Sequence, residues 1–265
     1  MLRGPSSALY GNQAGGVLSI ISESGGPRPA FDFSQVLGSY GFSRTHLGGG
    51  GQAGSGRFNY FGTAFKTGLD GFRDGSRQDI AGFTGKFGTT IDDRSTLSLV
   101  MGYDNQTQGL PGALTADEMA ANPRQANPVA AALGGNTLAL DEFRFGGTYR
   151  RDFTAAQVEA TGYYTPRGIG YFVFETRRLN QHFVNRGVTG RLVVPAVFGT
   201  PARVTAGVDY QNTPITTGNF SRTDSAVAGQ VAANEESATT VGPFAMVDVA
   251  LGERAKLAVA WIGGT

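Results

Sequence analysis

The sequence predicts an all-β fold: an antiparallel meander of about eleven long strands forming part of a transmembrane β-barrel, preceded by a short segment of different character. Three observations carry this expectation. From about Ala30 onward, apolar and polar residues alternate with period two, which sends successive side chains to opposite faces of a strand. The alternating runs reach about ten residues, the span a tilted strand needs to cross a bilayer, against roughly five or six in soluble domains. The connections alternate between short and long, as in membrane barrels with brief turns at one end and extended loops at the other.

Composition narrows the class further. Apolar residues make up 40% of the 265-residue chain and charged residues only 16%, below the roughly 25% of soluble domains. Few charges remain to cover a water-facing surface. The 41 glycines are spread through the extended runs, as suits bulges and tight turns in a barrel wall. A net charge of +1 gives no field to recruit nucleic acid. With no cysteine, disulfides, thiolate metal sites and cysteine nucleophiles are excluded. No run of about 18 apolar residues occurs, so a transmembrane helix is not expected. Met1 runs into LRGPSS without a basic and then apolar leader. An exported barrel needs such a leader, so the front of the protein is expected to lie outside this chain.

Taken in order, the strands are expected at 30–39, 42–50, 57–67, 78–90, 95–106, 139–150, 155–165, 182–194, 202–212, 238–251 and 255–264. In 95–104, Leu97, Leu99, Met101 and Tyr103 share one face, opposite Thr96, Ser98, Gly102 and Asp104. In 140–150, Phe143, Phe145 and Tyr149 oppose Glu142, Arg144, Thr148 and Arg150. In 202–211, Val204, Ala206, Val208 and Tyr210 oppose Arg203, Thr205, Asp209 and Gln211. Short turns are expected at 50–56, 91–94, 151–154, 195–201 and 252–254, and long loops at 67–77, 107–138, 166–181 and 212–236. Residues 116–121 are expected to form one turn of helix in the longest loop. Single-chain bacterial barrels have even strand numbers, and an open edge in lipid leaves backbone groups unpaired at several kcal/mol each. An odd count therefore means that the count is wrong by one or that further strands complete the barrel.

Residues 2–24 break the pattern. They read LRGPSSALYGNQAGGVLSIISES, with Gly-Pro and Gly-Gly turns and a short apolar run. An ordinary hairpin with glycine turns accounts for this, and no Lys-Ser/Thr follows the glycines to make a phosphate loop. RGPSSALYG followed by GGVLSIIS resembles the end of the plug domain of TonB-dependent outer-membrane receptors of the ferric-siderophore type. GSYGFSRTHLGGGG is similar to the family's first barrel hairpin, LDGFRDGSRQD to an outer hairpin tip, and GLPGALTADEMAANPRQANP to a long outer loop.

The resemblance covers nearly the whole chain and implies a division into 1–28, the end of the plug, and 29–265, the first half of a 22-stranded barrel. It implies the outer membrane of a Gram-negative bacterium and transport of a ferric siderophore or similarly scarce ligand. The expected partners are that ligand, outer-membrane lipid and, through an N-terminal region outside this chain, the TonB–ExbB–ExbD complex. It implies no enzymatic activity and no cofactor. The plug motif maps onto Arg3, Gly4, Pro5, Tyr10, Gly11, Gly15 and Gly16. Family plug arginines pair with wall glutamates, and alternation places Glu142 and Glu159 on the lumenal face as partners for Arg3. The signal peptide, the TonB box, most of the plug, the second barrel half and the terminal aromatic residue of the family are absent from the sequence. A small complete barrel or a soluble β-rich binding protein is the alternative.

The chemistry of the residues points away from catalysis. The two histidines, His46 and His182, lie in different strands, and neither has an acidic residue two to four positions away. Asp70, Asp74 and Asp79 do not follow the EF-hand spacing. Asp92-Asp93 suits a turn. No serine or threonine has a base set beside it. Binding residues are expected instead where aromatics and cations mix: Phe72 and Arg73 at one hairpin tip, and Arg167, Tyr171, Phe172 and Phe174 in a later loop. An aromatic girdle at the membrane surface is the plainer reading of those rings.

Overall fold

The computed structural model describes residues 22–174, 176–195, 202–222, 227–250 and 256–263. Arg3, Gly4, Pro5, Tyr10, Gly11, Gly15 and Gly16 lie outside them. The order is β1 (Ala30–Leu37), β2 (Ser43–Ala53), β3 (Phe58–Leu69), β4 (Gln78–Asp92), β5 (Ser95–Leu110), helices α1 (Ala116–Ala121) and α2 (Pro128–Ala132), β6 (Asn136–Asp152), β7 (Gln157–Phe174), β8 (Arg177–Val194), β9 (Ala202–Arg222), β10 (Val227–Ala250) and β11 (Lys256–Ile262). The eleven strands form one sheet in sequence order, with each strand antiparallel to its neighbours. β1 and β11 are the two edges and do not pair with each other.

Alternation dictates two faces, and the register keeps them distinct across the sheet. On one face Tyr103, Phe143, Met101 and Phe145 stand in facing pairs on β5 and β6. Val208 and Pro243 do the same on β9 and β10. On the other face Asp104 stands beside Glu142, and Thr148 beside Thr161. Of the apolar-face residues Leu97, Leu99, Phe143, Phe145, Val204 and Val208, none is buried, and Val208 is 49% exposed. The only buried apolar residues among those described are Ala130, Val193 and Phe244. A folded domain normally buries its apolar face against a second layer, and none covers this sheet among the described residues.

Three expectations are corrected. The long loops at 166–181 and 212–236 are mostly strand: β7 and β8 approach within two residues of each other, and β9 and β10 extend to 21 and 24 residues. A proline lies in each stretch, and each interrupts the ladder on one side only. Pro166 pairs with Val184 of β8, while the β6 ladder skips from Arg167 to Tyr164. Pro214 pairs with Ser237 of β10, while the β8 ladder skips from Ile215 to Asn212. A missing N–H costs one ladder bond and need not end a strand. Residues 51–53, expected in the turn at 50–56, are likewise strand, at the end of the glycine run at 48–51. A side chain at Gly50 would come within 2.5 Å of the Tyr60 carbonyl oxygen, so the run permits close packing. The turn follows at Gly54, Ser55 and Gly56, all with positive φ.

The helix at Ala116–Ala121 forms where the sequence placed it, closed by a capping box: Thr115 accepts from the Glu118 amide and Glu118 accepts from the Thr115 amide. Helix α2 was not foreseen. Asn127 caps it by accepting from the amides of Val129 and Ala130, and Pro128 occupies its first turn.

Candidate functional site

The polar face carries two ion-pair clusters built from neighbouring strands. Arg144 bridges Asp104 of β5 and Glu142 of β6, with 2.6 Å to the Glu142 Oε1. The other oxygen of Glu142 accepts from Arg167 Nε at 2.6 Å, so the chain Asp104–Arg144–Glu142–Arg167 spans β5 to β7. Further down, Glu159 lies between Arg150 at 2.9 Å and Arg191 at 2.8 Å, spanning β6 to β8. Thr148 and Thr161 are hydrogen-bonded at 3.0 Å between the clusters. The glutamates are 7% exposed and the arginines project outward over them. Charge-assisted pairs on adjacent strands hold these long side chains upright and leave guanidinium edges toward the open space. Sequence parity selected Glu142 and Glu159 but not their partners, because cross-strand register is invisible in a linear pattern.

A recess of about 270 Å³ opens beside the upper cluster, lined by Glu142, Thr165, Arg167, Phe183, Asn185, Gln211 and Thr213. Apart from Phe183 its lining is polar, with donors and acceptors of both kinds. Arg167, expected in a loop, thus stands on the strand wall and lines a cavity. Tyr171 lies on the same face, level with Leu138 and Leu179. Phe174 is the last residue of β7.

The other aromatic and cationic candidates hold loops in place. Arg73 donates to Gly112 O at 2.8 Å, to Gln125 O from two nitrogens at 3.1 and 3.0 Å, and to Pro111 O at 3.4 Å. Its fork staples the β3–β4 tip to the loop carrying α1 and α2. Phe72 meets Tyr40 edge-on at 5.8 Å and lies under Arg124 at 5.4 Å. Phe172 stacks under Arg222 at 4.4 Å and Arg178 at 5.6 Å, and Arg222 donates to Gly135 O at the end of the same loop. Phe172 belongs to the apolar side's upward continuation, beyond the apolar band. The rings at the top of that band are Phe83, Tyr103, Phe143, Tyr164 and Tyr210. His46 meets Asp32 at 3.0 Å across the β1–β2 pair, a neighbour that linear spacing missed.

The apolar band has defined limits. On β5 and β6 it ends above at Asn105 and Asp141 and below at Ser95 and Arg151. These limits are ten residues apart on each strand. That is about 33 Å along a strand, or about 25 Å after a barrel tilt of roughly 40°, the height of an outer-membrane apolar band. Preceding β1, Ser22 and Gly25 lie against the polar face: Lys86 Nζ donates to Ser22 O at 2.9 Å and Gln52 Nε2 to Gly25 O at 3.2 Å.

No family model matches the sequence. Among solved structures, the ferric yersiniabactin uptake receptor FyuA of Yersinia pestis superposes on 99% of this chain with a TM-score of 0.79 and 12% identity. This chain covers 47% of that receptor. The ferric enterobactin receptor PfeA of Pseudomonas aeruginosa gives 0.69 at 14% identity over 99% of this chain and 43% of its own. The ferric citrate transporter FecA gives 0.68 at 14% identity over 89% and 40%. The chain therefore spans less than half the length of each. At these identities the likeness establishes the fold: a partial barrel wall.

Proposed function

We propose that this chain is part of a TonB-dependent outer-membrane receptor that imports a ferric siderophore or a similarly scarce ligand. Residues 29–265 would supply about half of the barrel wall, and residues 1–28 the end of the plug. The observation that carries the reading is the two-faced sheet itself. A band about 25 Å tall, apolar and without a protein partner, suits lipid, while the opposite face offers fixed arginine and glutamate side chains to an aqueous lumen. The neighbours named above are a ferric yersiniabactin receptor, a ferric enterobactin receptor and a ferric citrate transporter by description, which supports the cargo class. β1 and β11 run in the same direction in this meander. An even, wholly antiparallel barrel thus needs an odd number of strands besides these eleven.

In this reading the TonB–ExbB–ExbD complex supplies energy through a region N-terminal to the plug. No enzymatic step is assigned. Arg167 and the recess beside it contact cargo or plug from the wall, and the plug motif around Arg3, Gly4, Pro5, Tyr10, Gly11, Gly15 and Gly16 packs inside. Glu142 and Glu159 already hold wall arginines, so Arg3 would join an existing cluster instead of meeting a bare carboxylate. The test is radio-iron uptake by cells carrying or lacking the full-length gene, supplied with ferric citrate, ferric enterobactin or ferric yersiniabactin. Energy-dependent uptake of at least one chelate that vanishes on deletion is expected. Equal uptake of all three in both strains overturns the transport reading for these cargoes.

A further inference from the structure

We propose that the apolar side of β2–β4 carries a site for one anionic phospholipid, with the headgroup beside Lys66 and an acyl chain in the trough below it. The site rests on the membrane reading above. Register stacks its two halves. On β3, successive residues of the apolar side are Lys66, Ala64 and Gly62, and each is level with its counterparts on β2 and β4.

The upper half is a recess of about 260 Å³ lined by polar groups including Ser43, Thr45, Lys66, Asp70, Arg77 and Asp79. Arg77 and Asp79 neutralise each other at 2.8 Å. Lys66 is exposed, and its charge acts on the Asp79 carboxylate that Arg77 holds without forming a direct ion pair with it among the described residues. It stands one step above Ala64, at the upper limit of the apolar band. A lysine there extends its ammonium to the interface, where lipid phosphates come within reach beside the carboxylates of Asp70 and Asp79.

The lower half is a trough of about 380 Å³, walled by Phe31, Leu47, Phe83, Phe87 and Met101. Its floor is the directly paired row Gly49, Gly62 and Gly85. Gly62 has no packing reason to be glycine: an added Cβ would meet only the Thr84 carbonyl oxygen, at 3.9 Å, and its φ is not left-handed. A glycine inside a strand weakens the sheet unless something approaches closely, and nothing among the described residues does so. From Lys66 to Gly62 is about 13 Å along the strand, within the length of an acyl chain. Charge above and apolar trough below on one face suit an amphiphile better than a free anion or a bulk hydrocarbon.

Native mass spectrometry of the full-length protein released from micelles tests this, with dimyristoyl phosphatidylglycerol, dimyristoyl phosphatidylcholine and glycerol 3-phosphate as probes. Wild type should retain phosphatidylglycerol over phosphatidylcholine. Lys66→Gln should reduce phosphatidylglycerol retention about fivefold, the worth of one lysine at an anionic lipid surface, and abolish the preference. Gly62→Leu fills the trough and should weaken retention of both lipids while leaving the preference intact. Unchanged retention in either variant overturns the site. Glycerol 3-phosphate competing as well as the lipid shows an anion site without a trough, and also overturns it. A protein that needs no amphiphile to stay soluble fails the membrane reading itself, which is a distinct outcome from equal retention of both lipids.

Discussion

Replacing Glu142 by alanine should cost the folded wall about 2 kcal/mol, and the structure dictates that size. Glu142 accepts from Arg144 and Arg167, each at 2.6 Å. A hydrogen bond to a charged group contributes about 1.5–3 kcal/mol, and breaking a fully buried ion pair costs about 3–5. Neither upper figure applies here. The carboxylate is 7% exposed, but what covers it is chiefly the two arginines, whose side chains are 40% and 48% exposed. The site is therefore screened like a half-open one, between a buried pair and the 0–1 kcal/mol of a surface pair. Arg144 also retains Asp104 after the change, whereas Arg167 has no second ion-pair partner among the described residues to fall back on. The assay is urea unfolding of the full-length protein in micelles, with Glu142→Ala, Arg167→Ala and the double variant forming a cycle. A coupling of about 1–2 kcal/mol between the two positions is expected. Coupling near zero, or a loss at Glu142 below about 0.5 kcal/mol, would refute the view that this cluster fastens β5 to β7.

Further outcomes follow from other parts of the wall. Leu99→Arg puts a charge in the apolar band and should reduce folding into lipid vesicles by about 2–4 kcal/mol, whereas Ser98→Arg, one residue away on the polar face, should cost little; equal effects would contradict the assigned faces. Arg73→Ala should make the loop at 111–135 cleave faster in limited proteolysis, and Arg73→Lys should not restore protection, because a single ammonium cannot reproduce the fork. Thr115→Ala removes the cap of α1 and should destabilise that turn by about 1 kcal/mol, read as faster amide exchange at Met119, whose N–H donates to Thr115 O at 2.9 Å.

Period two was a strong enough signal to place every strand, because one face meets an apolar medium and the other does not. Leu97 through Tyr103 and Phe143 through Tyr149 could not have slipped by one residue without exchanging faces. Strand ends were less legible. Pro166 and Pro214 lie within β7 and β9, because an antiparallel strand has two neighbours and can lose a bond to one while keeping the other. The ion-pair chain was only half visible: alternation set Glu142 and Asp104 on one face, but their joining through Arg144 depends on which residue of β5 stands level with which of β6. The loop contacts of Arg73 were hidden for a related reason. A cation beside an aromatic at a hairpin tip suggests binding, and only the position of the neighbouring loop's carbonyls reveals a staple.

The account stands on β5 separating lipid from lumen, and a nitroxide scan along 95–106 of the full-length protein in vesicles tests this directly. Collisions with dissolved oxygen, which partitions into lipid, should peak at Leu97, Leu99, Met101 and Tyr103. Collisions with a water-soluble nickel chelate should peak at Thr96, Ser98, Gly102 and Asp104, giving two curves of period two in opposite phase. Uniform access to the nickel reagent along the strand, or the two curves rising and falling together, would contradict the account.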